Sequence, residues 1–143
     1  MTNPKTTPLL DGPPVMSFHL AVLAATGVSE DSPSMRNAQI TIARLTTYAS
    51  GRVYASHLAR FFRFMSEQGR EPIDADHDDI DMFVMNVRHM SPATQSCIFG
   101  VLTAYFKRAI ERQVRPYSPM TGRKPVGVEN PDLITPRLRG TRG

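Results

Sequence analysis

The chain has 143 residues, of which 41% are hydrophobic, and it carries a net charge of +4 with a pI of about 9.6. This length provides for one domain with tails, and the single cysteine excludes an internal disulfide. Seven of the 13 acidic residues but only one of the 17 basic residues lie between Glu67 and Asp81, so the rest of the chain carries 16 basic and 6 acidic residues. Most of the basic residues are arginines, which suit bidentate contacts with phosphate and guanine. The charge therefore favours nucleic acid as the partner over an ordinary charged surface.

The prolines are concentrated at the two ends of the chain, with only Pro72 and Pro92 between them. This distribution predicts irregular ends around a helical middle. Residues 1–33 are predicted to be a flexible extension with room for one short helix, over about 15–26. The apolar run within it is too short to span a membrane and lacks the preceding basic segment of a signal peptide. We therefore expect a cytoplasmic protein.

The strongest helical pattern begins at a hydroxyl residue, Thr47 or Ser50, and continues to about Gln68. Gly69 and Pro72 are typical of a helix end. A weaker pattern over residues 35–45 predicts another helix before it. Apolar residues of the strong helix recur at steps of three and four, the spacing of one helix face, with Arg52, Arg60 and Arg63 largely opposite. The predicted face consists of Val53, Tyr54, His57, Leu58, Phe61, Phe62 and Met65.

Two further helices follow. Asp76 and Asp79 have the spacing of a capping box, which predicts a helix to about Arg88. Ser91 followed by Pro92 predicts another, to about Val114. Its predicted inner face holds Ile98, Val101, Leu102, Tyr105, Phe106, Ala109 and Ile110, and its outer face Thr94, Gln95, Thr103, Lys107 and Arg108. No stretch alternates in the manner of a strand, so the sequence predicts an all-α bundle of about four helices with irregular, proline-rich ends.

The sequence contains no arrangement that indicates catalysis or metal binding. The four histidines and one cysteine lack the spacing of zinc ligands. Asp74, Asp76 and Asp78 begin like a calcium loop, but Asp79 and Met85 stand where that loop requires Gly and Glu. There is also no Gly-rich phosphate loop and no nucleophile elbow. We expect no cofactor, no metal and no small-molecule substrate.

Four motifs occur in a set order along the chain. They are Thr47-x-x-Ser50-x-x-x-Tyr54-x-x-x-Leu58-x-x-Phe61-x-x-Phe64, Asp79-Ile80-x-x-Phe83, Ser91-x-x-Thr94 with Leu102-x-x-x-Phe106-x-x-Ala109, and Asn130-Pro131-x-x-x-x-Pro136. In order and spacing they resemble the N-terminal core-binding domain of tyrosine recombinases, the phage integrases, over about residues 46–137. Ser118-Pro119 is the alternative to Asn130-Pro131 as the exit turn of that domain. The resemblance implies a small SAM-like helical bundle that packs on one face of duplex DNA while a separate catalytic domain holds the other face.

The resemblance also implies which residues contact DNA. By the resemblance, Thr47, Ser50 and Arg52 belong to the first contact helix, and Ser91, Thr94, Gln95 and Lys107 belong to the second. Three further basic residues on or beside these helices, Arg60, Arg88 and Arg108, complete the expected set of DNA contacts. Hydroxyls and free N–H groups at a helix start bind phosphate, and Arg or Lys further along reaches other phosphates or base edges. Alternatively, Thr47 and Ser91 only cap their helices. Duplex DNA and other recombinase protomers are the expected partners.

The sequence departs from the family where catalysis is concerned. His57-x-x-Arg60 has the spelling of one catalytic box, but it lies in the first amphipathic helix, and we interpret it as a coincidence. We expect a DNA-binding domain at 34–115, a basic linker at 116–143 toward an absent catalytic domain, and no cleavage by this chain alone. The alternatives are a helical protein-interaction module, a stand-alone accessory DNA-binding factor, and an enzyme with an unrecognised site.

Overall fold

The computed structural model describes residues 14–45 and 47–123, and these residues form helices and turns with no strand among them. Five α-helices follow in order: α1 Pro14–Ala24, α2 Pro33–Ala43, α3 Tyr48–Glu67, α4 His77–Val87 and α5 Pro92–Glu111, with a 3-10 turn at Pro72–Asp74. The predicted all-α fold is confirmed, and α1 is the short helix for which the N-terminal extension had room. The first 13 residues of the predicted flexible extension, 1–33, and most of the predicted linker, from residue 124 onward, lie outside the described residues.

The chain separates into two compact units, Met1–Asp74 and Ala75–Gly143. In the first unit, α1, α2, α3 and the 3-10 turn contact one another. The second unit holds α4, α5 and the segment that follows them. The division falls inside residues 34–115, the range predicted to be one DNA-binding domain.

α3 buries one face along its length, including Leu58, Phe61, Phe62 and Met65. Val53, which we predicted on that face, is 40% exposed, so this part of the prediction is wrong. At 100° per residue, position 53 lies about 140° around the helix from Leu58. Tyr54 and His57, also predicted on this face, are half-buried.

Ser34 joins the start of α2 to the turn after α3. Its buried hydroxyl donates to Glu71 Oε1 at 2.6 Å and accepts from the backbone N–H of Ile73 at 2.9 Å. Because the hydroxyl both donates and accepts, its hydrogen-bonding capacity is used inside the unit. The bond fixes the acidic turn against α2, although the two are separated by nearly forty residues of chain.

α1 packs closely on the backbone of α3. His19 of α1 is only 2% exposed, and it lies beside Gly51 of α3. A Cβ atom built on Gly51 would come within 2.4 Å of His19 Cε1. The two helices therefore reach this separation because position 51 has no side chain.

The segment after α5 is attached to the beginning of α4. Arg115 Nη1 donates to the carbonyl of Ala75 at 2.8 Å, and its guanidinium lies 5.0 Å from the Phe106 ring centroid. His77 Nδ1 lies 3.0 Å from the carbonyl oxygen of Pro119. Arg123 makes a two-pronged contact with the Asp81 carboxylate, at 3.0 and 3.1 Å. The first eight residues of the predicted linker, 116–123, are thus part of the second unit.

Candidate nucleic-acid interface

The start of α3 is exposed and capped by a hydroxyl. Thr47 is the N-cap, and its Oγ1 accepts from the backbone N–H of Ser50 at 3.0 Å. This is the local chemistry predicted for this position, because an N-cap oxygen satisfies one of the donors left open at a helix start. Thr47, Ser50 and Arg52 are all exposed. The structure therefore brings these three predicted residues together on the first turn and a half of α3.

A shallow groove lies on the outer side of α3, and we call it the α3 groove. It is lined by Ala49, Arg52, Val53, Ser56 and His57. Arg60 follows one turn later and is half-buried, and Arg63 beyond it is exposed. The lining thus includes the Ser56 hydroxyl and the side chains of Arg52 and His57, and Arg60 lies about one turn beyond His57.

His57 and Arg60 each place a shielded nitrogen in this region. Within the part of the chain that the structure describes, neither His57 Nδ1 nor Arg60 Nε has a hydrogen-bond partner. Burial lowers the pKa of His57, and the positive charge of Arg60 lowers it further. His57 is therefore a neutral imidazole near pH 7 that lies beside an arginine.

The charge around α3 has one sign. Between Ser32 and Ser66 the sequence holds five arginines and no Asp or Glu. Four of these arginines are exposed: Arg36, Arg44, Arg52 and Arg63. A charge count over the whole chain outside the acidic segment does not reveal this stretch. The spacing of the acids along the chain is the signal that identifies it.

The start of α5 has a similar cap in the second unit. Ser91 Oγ accepts from the backbone N–H of Thr94 at 3.2 Å and lies 2.9 Å from the Thr94 hydroxyl, to which it donates. Ser91 is exposed and Thr94 is half-buried. The two predicted hydroxyl groups are together here, but each is already engaged by the other.

Gln95 does not lie on the outer face of α5, and our prediction for this residue is wrong. It is only 1% exposed, and its Nε2 donates to the carbonyl of Arg88 at 3.1 Å and to that of Met90 at 2.7 Å. These carbonyls belong to the end of α4 and the turn after it, where helix geometry leaves acceptors open. Gln95 fastens the α4–α5 turn from inside and is not available to DNA.

The remaining predicted DNA-contact residues of the second unit differ in whether a nearby carboxylate neutralises their charge. Lys107 is exposed and lines a groove between α5 and the segment after it. Arg108 is half-buried and ion-paired with Glu111 on the next turn. Arg88 is exposed at the end of α4. Because the carboxylate of Glu111 offsets its charge, Arg108 is a weaker candidate for a phosphate than Lys107 or Arg88.

The described residues contain no group of three or more His, Cys, Asp or Glu side chains placed to hold a metal ion. None of the described helices has the length and hydropathy needed to cross a bilayer. The chain matches no protein-family model, no curated protein and no solved structure.

Proposed function

We propose that this chain is a DNA-binding module that contacts the phosphate backbone of duplex DNA through the outer side of α3. The observation that carries the proposal is the carboxylate-free stretch from Ser32 to Ser66, with exposed arginines on both α2 and α3. DNA binding is dominated by neutralisation of phosphates, and an acid in this stretch would oppose it. The exposed helix start at Thr47 adds N–H groups that favour an anion.

The start of α5 is a second candidate contact, considered by itself. Ser91, Thr94, Lys107 and Arg88 remain in the proposed set, and Gln95 is removed from it. The Glu111 carboxylate beside Arg108 reduces what that residue contributes. We rank this contact below α3, because α3 carries more unneutralised charge.

We further propose that the module serves as the core-binding part of a tyrosine-recombinase-like system in the cytoplasm. The support for this step is the order and spacing of the four sequence motifs described above. The module would hold duplex DNA, alongside other protomers, without cutting or joining it. A stand-alone accessory factor of the same fold would bind DNA in the same manner.

One observation favours a protein-contact role as a second candidate. α4 exposes two large apolar side chains three residues apart, Met82 at 62% and Met85 at 51%. Neighbouring flexible apolar side chains on one helix are typical of adaptable protein-binding surfaces. Such an interface would bind with little dependence on salt, whereas phosphate contacts weaken steeply as salt rises.

Binding to a mixed duplex over a range of salt concentrations tests the proposal. We expect the logarithm of the binding constant to fall linearly with the logarithm of salt concentration. The double variant R52Q/R63Q removes two exposed charges from α3. It is expected to reduce the magnitude of that slope by about 1.8, because each phosphate contact contributes about 0.9.

The control variant R70Q/R123Q removes the same charge from residues whose contacts involve the acidic segment. Arg70 donates to the carbonyl of Asp74, and Arg123 pairs with Asp81. Its slope is expected to stay close to that of the wild type. Equal slopes for all three proteins would contradict the assignment to α3, and a lack of salt-dependent binding would contradict the DNA-binding function.

A further inference from the structure

We propose that the α3 groove is a seat for one nucleic-acid phosphate, in which His57 contacts the phosphate together with Arg52 and Ser56, and Arg60 closes its far end. The inference rests on the proposed DNA-binding function and adds as a contact residue His57, whose spacing in the sequence predicts the buried face of α3. The ligand it names is a phosphodiester group.

The cluster carries positive charge without a compensating acid. Within residues 14–45 and 47–123, neither Arg52 nor Arg60 forms an ion pair with a carboxylate, and the stretch from Ser32 to Ser66 supplies none. An anion in the groove would compensate this positive charge, and a phosphate diester is the anion that duplex DNA presents.

The shielded nitrogens limit how the side chains can bind. His57 Nδ1 is shielded from solvent, so Nε2 is the ring nitrogen left to reach a ligand. Arg60 Nε is shielded in the same way, which leaves the two terminal nitrogens of its guanidinium. A histidine Nε2–H, an arginine fork and the Ser56 hydroxyl are all donors that suit a phosphate oxygen.

Protonation links the seat to pH. Burial and the Arg60 charge lower the pKa of His57 in the free protein, and Arg60 is the charged group among the described residues that acts on it. A phosphate beside Nε2 favours the imidazolium and raises that pKa. Binding of DNA therefore takes up protons at pH values between the free and the bound pKa of His57, and affinity increases as pH falls through this range.

The experiment compares the wild type with H57Q and H89Q for binding to a 20-base-pair mixed duplex, at pH 6.0 and 7.8 and constant salt. His89 is an exposed histidine outside the groove. We expect the wild type and H89Q to bind about three- to tenfold more tightly at pH 6.0, since each unit of pKa shift corresponds to a factor of ten. H57Q is expected to lose this gain. Far-UV circular dichroism checks that H57Q keeps the helical content of the wild type.

A second measurement uses only the wild type. The NMR titration of the His57 ring proton is recorded with and without the duplex, and the pKa of His57 is expected to rise when DNA is bound. An unchanged pKa, or an equal pH gain in H57Q and wild type, would overturn the seat while salt-dependent DNA binding still stands. If no salt-dependent binding occurs at either pH, the proposed function itself fails and the seat fails with it.

Discussion

His19 of α1 occupies the space that a side chain at position 51 of α3 would fill. In most helix interiors, Gly→Ala is favourable, by about 0.5–1 kcal/mol, because Ala has less backbone freedom to lose. At Gly51 the new Cβ would meet the buried His19 ring at 2.4 Å. The contact therefore reverses the usual sign of the substitution.

We predict that G51A lowers the free energy of unfolding by roughly 1–3 kcal/mol, the usual cost of overpacking a buried site. G100A is the matched control. Gly100 lies within α5, and no heavy atom of the described chain lies within 4 Å of its added Cβ beyond its own helix and chain neighbours. G100A is expected to raise the free energy of unfolding by about 0.5–1 kcal/mol. Urea titrations measure both, and a stabilising G51A would mean that His19 does not lie on Gly51.

Single residues also show where sequence reasoning succeeds and fails. The caps at Asp76 and Ser91 were predicted because their partners lie three residues along the same helix. The side of α5 on which Gln95 lies was predicted wrongly. Its partners are the carbonyls at the end of α4 and in the turn after it, and the spacing of apolar residues in α5 carries no information about where that turn runs. His57 fitted an apolar spacing, and only the structure shows that it lines the groove.

At the scale of an element, the start of α3 combines a cap with a proposed phosphate contact, and a substitution can separate the two. An aspartate at the N-cap position supplies the capping oxygen as well as threonine does. It also places a negative charge where we propose that a phosphate binds. Stability and DNA affinity should therefore respond differently to T47D.

We predict that T47D keeps the free energy of unfolding within about 0.5 kcal/mol of the wild type, whereas T47A loses about 1 kcal/mol with the cap. DNA affinity is expected to fall further in T47D than in T47A, because the carboxylate repels phosphate. Thermal unfolding and DNA titration at low salt provide the two readouts. DNA binding by T47D that equals the wild type would remove Thr47 from the interface.

Elements also differ in how far sequence predicts them. Helix limits followed from local caps and apolar spacing, and α4 and α5 lie within a few residues of the predicted limits. The attachment of residues 116–123 was not predicted, because Arg115 and Arg123 bond to Ala75 and Asp81, some forty residues earlier. The proline content predicts a segment without regular helix or strand, but it does not predict whether that segment packs against the rest of the unit.

At the scale of the whole molecule, the charges are arranged in blocks along the chain. A basic stretch without acids, Ser32 to Ser66, is followed by the acidic segment from Glu67 to Asp81. Between Asp81 and Glu129 there are seven basic residues and one acidic residue, Glu111. A chain of modest net charge can therefore present strong local fields, which act within about a Debye length, roughly 8–10 Å at physiological salt.

His19 and His57 predict how the stability of the whole protein depends on pH. Burial lowers the pKa of both His19 and His57 below the usual 6.5. The unfolded chain therefore binds protons more readily than the folded one, so the stabilisation is present above pH 6.5 and is lost as pH falls toward the lowered values. We predict that the free energy of unfolding decreases between pH 7.5 and 5.5.

Urea titrations at pH 7.5, 6.5 and 5.5 measure this loss. H19Q is expected to show a smaller decrease than the wild type, whereas H89Q, which changes an exposed ring, keeps the wild-type dependence. Identical pH profiles for H19Q and wild type would mean that His19 titrates alike in the folded and unfolded chain.

The contact between α1 and α3 has a consequence for how this sequence can diverge. The close contact requires both the ring at position 19 and the absence of a side chain at position 51. A substitution at either position therefore affects which residues the other can accept. Descendants that acquire a larger residue at 51 are expected to carry a smaller residue at 19, or to have lost the docking of α1. Paired change at these two positions would be the evolutionary record of the distance between the two helices.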